Sequence, residues 1–103
     1  MNNSLEKAIN TISQVAEPDK IILFGSHARG NDKPGSDYDL LVLKRGVRKR
    51  RALTQKIYLS FKHIGAPIDV IVADLDKYEH LKTDPYLIYS EAAKNGRMVY
   101  EKS

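Results

Sequence analysis

Residues 22–43, ILFGSHARGNDKPGSDYDLLVL, set two apolar runs on either side of a polar loop. Both runs are too short for helices and are bounded by residues that favour turns, so they read as buried strands over Lys20–Phe24 and Tyr38–Leu43. A third such run, IDVIV at Ile68–Val72, follows a stretch in which Leu53, Ile57, Phe61 and Ile64 recur at helical spacing. Gly65 and Pro67 end that stretch. A helix of about 15 residues between two strands is the crossover of a parallel βαβ unit, since parallel neighbours need a connection of a dozen residues or more. The expected fold class is α+β (an α/β two-layer arrangement) with a small mixed β-sheet packed by helices.

The flanking segments fit this plan. Leu5, Ala8, Ile9, Ile12, Val15 and Ala16 share one helical face, with Ser4 as a candidate N-cap and Pro18 as the stop. Asp32–Ser36, DKPGS, is a turn by composition. Asp74–Leu81 reads as a short polar helix and Pro85–Asn95 as a longer one, with Gly96 just beyond it. At 103 residues the chain suits a single domain over 1–103, with one modest core. A core of that size leaves an enzyme short of surface, so a hetero-oligomer is expected.

Composition narrows the chemistry. Cysteine is absent, which removes disulfides, thiolate metal sites and thiol nucleophiles and fits a cytoplasmic location. No stretch approaches the roughly 20 apolar residues of a membrane span, and the N-terminus has no apolar signal core. The net charge of +4 is local: KRGVRKRR, Lys44–Arg51, holds six of the 17 cationic residues. The remaining eleven face 13 acids, so the basic run reads first as a solvated loop or helix start and only second as a phosphate or nucleic-acid contact.

The acids raise the sharper question. Asp37 and Asp39 are two apart, so on a strand they share one face at about 6.5 Å spacing. In parallel neighbouring strands both starts lie at one edge, which brings Asp69 to the same place. If the first strand is antiparallel to the second, Gly25 and Ser26 arrive there as well. Alone, each acid has an ordinary explanation as a cap, an exposed edge residue or a salt-bridge partner. Together they form a crowded cluster that cations would have to neutralise. Oxygen-only ligands favour Mg²⁺, with Mn²⁺ as a substitute, and two such ions about 3.5–4 Å apart would serve an in-line phosphoryl displacement. Gly25 permits close approach of a phosphate and Ser26 adds a hydroxyl donor. Arg29 stands one turn on, equally placed to reach those phosphates or to form a structural ion pair.

Gly25 and Gly30 have the spacing of a Walker A loop, but Asn31 and Asp32 replace its Lys and Ser/Thr, and no dinucleotide fingerprint is present. Instead FGSHARG, SDYDLLV and the isolated acid of IDVIV resemble the nucleotidyltransferase superfamily related to DNA polymerase beta, in particular its minimal stand-alone members. The resemblance runs from about Ile21 to Val72. It implies a polymerase beta-like fold, ATP as nucleotide substrate bound at Gly25 and Ser26, where Arg29 is the further candidate contact from its position, and two Mg²⁺ ions held by the catalytic acids Asp37, Asp39 and Asp69. It also implies a partner, because minimal members are similar to antitoxins of type VII toxin–antitoxin pairs that transfer AMP to a tyrosine of a HEPN-domain ribonuclease toxin. His27 stands where relatives show Arg or Tyr, and reads as a local contact rather than a catalytic base. Two other functions remain open: a binding module that neutralises its partner by occlusion, and a nucleotidyltransferase acting on a small molecule. Tyr78, Tyr86, Tyr89 and Tyr100 read first as core packing and second as a partner surface.

Overall fold

The computed structural model describes residues 3–30, 33, 35–85 and 87–103. In chain order the elements are α1 (Asn3–Ala16), β1 (Lys20–Phe24), α2 (Ser26–Arg29), β2 (Tyr38–Lys44) and α3 (Arg50–Ser60). β3 (Ile68–Asp74), α4 (Leu75–Leu81), α5 (Ile88–Asn95) and β4 (Arg97–Glu101) complete the chain.

The four strands form one mixed sheet in the order β3-β2-β1-β4. β2 and β3 are parallel, with α3 in the connection between them, while β1 is antiparallel to both β2 and β4. This is the expected α+β fold. The period of two along each strand sends alternate residues to opposite faces. Ile21, Leu23, Leu40, Val42, Val70 and Val72 join α1 and Ile57 of α3 in one core cluster. Ile22, Phe24, Leu41, Leu43 and Ala73 join Leu75, Tyr78 and Ala92 of α4 and α5 in a second. Helices therefore cover both faces, which explains why β1 and β2 are continuously apolar rather than alternating.

Several boundaries differ from those the sequence suggests. Ser4 lies inside α1 rather than capping it. α3 ends at Ser60, and Phe61 takes an extended conformation, so Phe61 and Ile64 reach the core from an irregular segment. The helix expected to begin near Pro85 begins at Ile88. β4 has no counterpart in the sequence reading. Its tight seat follows from Gly96, where a side chain would meet the Ala92 carbonyl and would lie 2.7 Å from Ile22 Cγ2. Lys33 N donates to Ser36 Oγ at 2.9 Å, and Ser36 N to the Lys33 carbonyl at 2.9 Å, within the expected turn. Asp32 and Pro34 of that turn, and Tyr86 of the tyrosine group, lie outside the described residues. Tyr78 is buried and meets Tyr89 edge-on at 5.8 Å, and Tyr100 packs against the first core, in line with core packing.

Candidate active site

Asp39 and Asp69 are direct register partners on parallel β2 and β3. Neighbouring strands run about 4.8 Å apart, and partnered residues of parallel strands point to the same face. That face is the one lined further along by Leu41, Leu43 and Ala73. The acids continue its apolar rows beyond the cover of α4 and α5. Asp37 is exposed just ahead of β2, and Asp69 is exposed as well, while Asp39 is half-buried. On its other side Asp39 pairs with Phe24, the last residue of β1, so the Gly25 turn comes to the same edge.

Gly25 has φ 76° and ψ −154°, a backbone region essentially closed to side chains. A Cβ placed there would collide with Asp39 Oδ2 and lie 3.1 Å from its Cγ. The Asp39 carboxylate thus rests over bare backbone at the start of α2. Desolvation pushes the Asp39 carboxyl above its ordinary range, and the nearby charges of Asp69 and then Asp37 push it further, against a smaller opposing pull from His27.

The other predicted residues fall around this pair. Ser26 opens α2 and is partly buried. Arg29 donates through Nη1 to Glu91 Oε1 of α5 at 2.5 Å, so the structural alternative of its two readings is the one formed here. His27 stacks on Tyr38 with ring centroids 3.8 Å apart, and its Nε2 lies 3.0 Å from the Ser36 carbonyl. A carbonyl only accepts, so Nε2 carries the proton in that bond, and the ring pins α2 to the segment leading into β2. His63 and His80 are exposed.

Sequence reasoning missed Tyr58. Its hydroxyl donates to Asp69 Oδ1 at 3.2 Å and accepts the Val70 N–H at 2.7 Å. Tyr58 lies one residue beyond the buried Ile57, off the apolar stripe of α3, and an aromatic in that position was the available signal. Among the described residues no three His, Asp or Glu side chains converge closely enough to hold one ion. Asp69 is engaged by Tyr58 and Asp39 lies over Gly25, so side-chain rotation is needed before Asp37, Asp39 and Asp69 could share a cation. An all-carboxylate donor set, with burial and mutual repulsion acting on Asp39, fits a hard divalent ion such as Mg²⁺.

Residues 6–103 match the family described as Polymerase beta, Nucleotidyltransferase. The chain belongs to that family. A curated relative, "Putative protein adenylyltransferase MJ1305" of Methanocaldococcus jannaschii, is 41% identical over 59 residues, or 55% of this chain. The matched part spans 40% of that relative's length. Among solved structures, a toxin–antitoxin complex with AMP-PNP aligns with TM-score 0.64 at 20% identity, covering 99% of this chain and 76% of the other. A nucleotidyltransferase-like protein of Sulfolobus solfataricus aligns with TM-score 0.60 at 17% identity, covering 99% and 90%. A mutant of the toxin–antitoxin MntA–HpeT gives TM-score 0.60 at 18% identity, covering 100% and 76%. At these identities the structures share the nucleotidyltransferase fold.

Proposed function

We propose that this family member transfers AMP from ATP to a hydroxyl, a tyrosine of a HEPN-domain ribonuclease toxin, and so acts as an antitoxin. The observation that carries the reading is the side-by-side placement of Asp39 and Asp69 next to a turn that only glycine can make. The family match, the adenylyltransferase relative and the toxin–antitoxin neighbours add support. In this reading Asp37, Asp39 and Asp69 hold Mg²⁺, two ions in the full assembly. Bound there, Mg²⁺ would neutralise developing charge on the attacking and leaving oxygens. Gly25 presents bare backbone to the triphosphate and Ser26 its hydroxyl. The acceptor phenol oxygen bonds to the α-phosphorus while the bond to the β-phosphate oxygen breaks, and pyrophosphate leaves with the electron pair. Asp69 is the acid placed to receive the phenol proton, because a phenol hydroxyl already lies against it in Tyr58.

The test pairs two proteins. With labelled ATP, Mg²⁺ and its toxin partner, the wild-type chain should label the partner, and Asp39→Asn should abolish labelling while retaining the fold. The alternative is an occlusion reading, in which the chain neutralises the toxin by binding alone. It predicts that wild type and Asp39→Asn protect cells from the toxin equally well, which would overturn the transferase reading.

A further inference from the structure

The outer side of β3 is a free sheet edge, and α3 runs beside it. Between them lies a groove of about 550 Å³, lined by Arg50, Arg51, Tyr58 and Leu59 of α3 and by Val70 and Val72 of β3. Leu59 is 74% exposed and Tyr58 40%, although both are large and apolar. Arg50 and Arg51 are exposed at the N-terminal turn of α3 and, among the described residues, make no ion pair. A groove with an apolar floor and an unneutralised cationic end suits an acidic, partly apolar chain.

Its position relative to the acids decides which chain. Across the sheet edge the order is the Gly25 turn after β1, then Asp39 on β2, then Asp69 on β3, then this groove. An in-line displacement places the leaving and attacking oxygens on opposite sides of phosphorus. With the polyphosphate at the Gly25 end, attack comes from the β3 side; Val70 and Val72 face away from Asp69, so the groove reaches that carboxylate around the β3 edge, at Tyr58. Tyr58 joins the two places, since it lines the groove and hydrogen-bonds Asp69. A phenol entering from the groove would meet the same carboxylate.

We infer that the groove between α3 and β3 is the docking site for the acceptor's own chain, an extended acidic and apolar segment that delivers its tyrosine to Asp69. This rests on the transferase reading for the identity of the cargo, and on the groove itself for the recognition chemistry. Val70 N–H is already taken by Tyr58, so side chains in the groove, rather than strand addition along all of β3, supply the contacts.

The test uses two synthetic peptides, a tyrosine flanked by alternating leucine and glutamate and the same peptide with lysine for glutamate. Binding is read by fluorescence anisotropy, with AMP-PNP and Mg²⁺ affinity measured by calorimetry on each variant. The wild-type chain should prefer the glutamate peptide. Leu59→Ser should weaken that binding about tenfold, equivalent to about 1.4 kcal/mol. Arg50→Glu with Arg51→Glu should reverse the preference to the lysine peptide, and both variants should keep wild-type AMP-PNP affinity. No peptide preference, or binding indifferent to these substitutions, overturns the proposal. So does loss of AMP-PNP affinity, which would make the groove a nucleoside pocket, or a Leu59-dependent dimer in sedimentation, which would make its occupant a second copy. Asp39→Asn should still bind the glutamate peptide. Peptide binding with no AMP labelling of the toxin partner by ATP and Mg²⁺ would therefore sink the transferase reading while leaving the groove, and labelling of that partner undiminished by Leu59→Ser would do the reverse.

Discussion

Asp39 shows at the scale of one residue how a site can weaken the fold that carries it. Its carboxyl is held above the ordinary range by desolvation first and by Asp69 and Asp37 second. A carboxyl raised in the folded state is stabilising while protonated, and that contribution disappears as pH rises through the folded value. Wild type should therefore lose stability from the usual carboxylate range upward, whereas Asp39→Asn, which cannot ionise, should not. The expected result is a higher Tm for Asp39→Asn at pH 7 and convergence of the two proteins near pH 3. Because Asp39 is only half-buried, solvent screening keeps the difference small, below about 1 kcal/mol. A thermal melt series across pH, at fixed ionic strength without divalent ions, reads this directly. Adding Mg²⁺ should raise the Tm of wild type and leave that of Asp39→Asn nearly unchanged, because the cation offsets a repulsion that the variant lacks.

At the scale of elements, one hydroxyl adds a hydrogen-bonded tie between α3 and β3 to the packing of Ile57 on Val70 and Val72. Tyr58 satisfies the outward Val70 N–H of an edge strand and hydrogen-bonds Asp69. Tyr58→Phe should cost about 0.5–1.5 kcal/mol, the range for one partly exposed hydrogen-bonded group. Hydrogen exchange should quicken at Val70, a readout that a general loss of stability would spread over the whole sheet instead. If exchange at Val70 is unchanged, the hydroxyl is not what closes this edge. No sequence pattern announces such a bond, because it depends on where α3 falls against β3. Among the strands, the legible ones were those with a mostly apolar run: β1, β2 and β3, and the parallel pairing of the last two followed from the helix between them. β4 was not legible, since Arg97, Met98 and Glu101 are exposed and only Val99 and Tyr100 pack inward. Phe61 and Ile64 prolonged the apparent helical period past Ser60, because spacing cannot distinguish a helix from an extended segment that returns to the same core. In the site, Asp39, Asp69 and Gly25 could be placed from topology alone. The pairing of Arg29 with Glu91 could not, since it spans 62 residues and depends on how α5 packs.

For the whole molecule, the basic run separates into two parts. Lys44 Nζ donates to the Ala16 carbonyl at 2.8 Å and to the Glu17 carbonyl at 3.2 Å. Arg45 pairs with Asp76 at 3.4 Å, and its backbone N–H donates to Asp19 Oδ2 at 2.8 Å. These two cations hold the end of β2 in place. Arg48, Lys49, Arg50 and Arg51 are exposed, and they lead into the first turn of α3, which contains no acid. Cations at a helix N-terminus oppose the helix dipole by a few tenths of a kcal/mol each, so folding alone does not favour them there. A cluster of like charges beside the groove instead raises the encounter rate with an acidic partner, by a factor of about 10 to 1,000 when salt is low. Screening shortens its reach to about 8 Å at physiological ionic strength. Association of wild type with the proposed protein acceptor should therefore slow steeply between low and physiological salt while dissociation changes little. Replacing Arg48, Lys49, Arg50 and Arg51 by glutamine should remove most of that salt dependence, and the relieved dipole should leave the variant at least as stable in denaturant. Stopped-flow association over a salt series separates the outcomes: a flat wild-type response would end the steering role, and a stability loss above about 1 kcal/mol would show that these four side chains hold the fold instead.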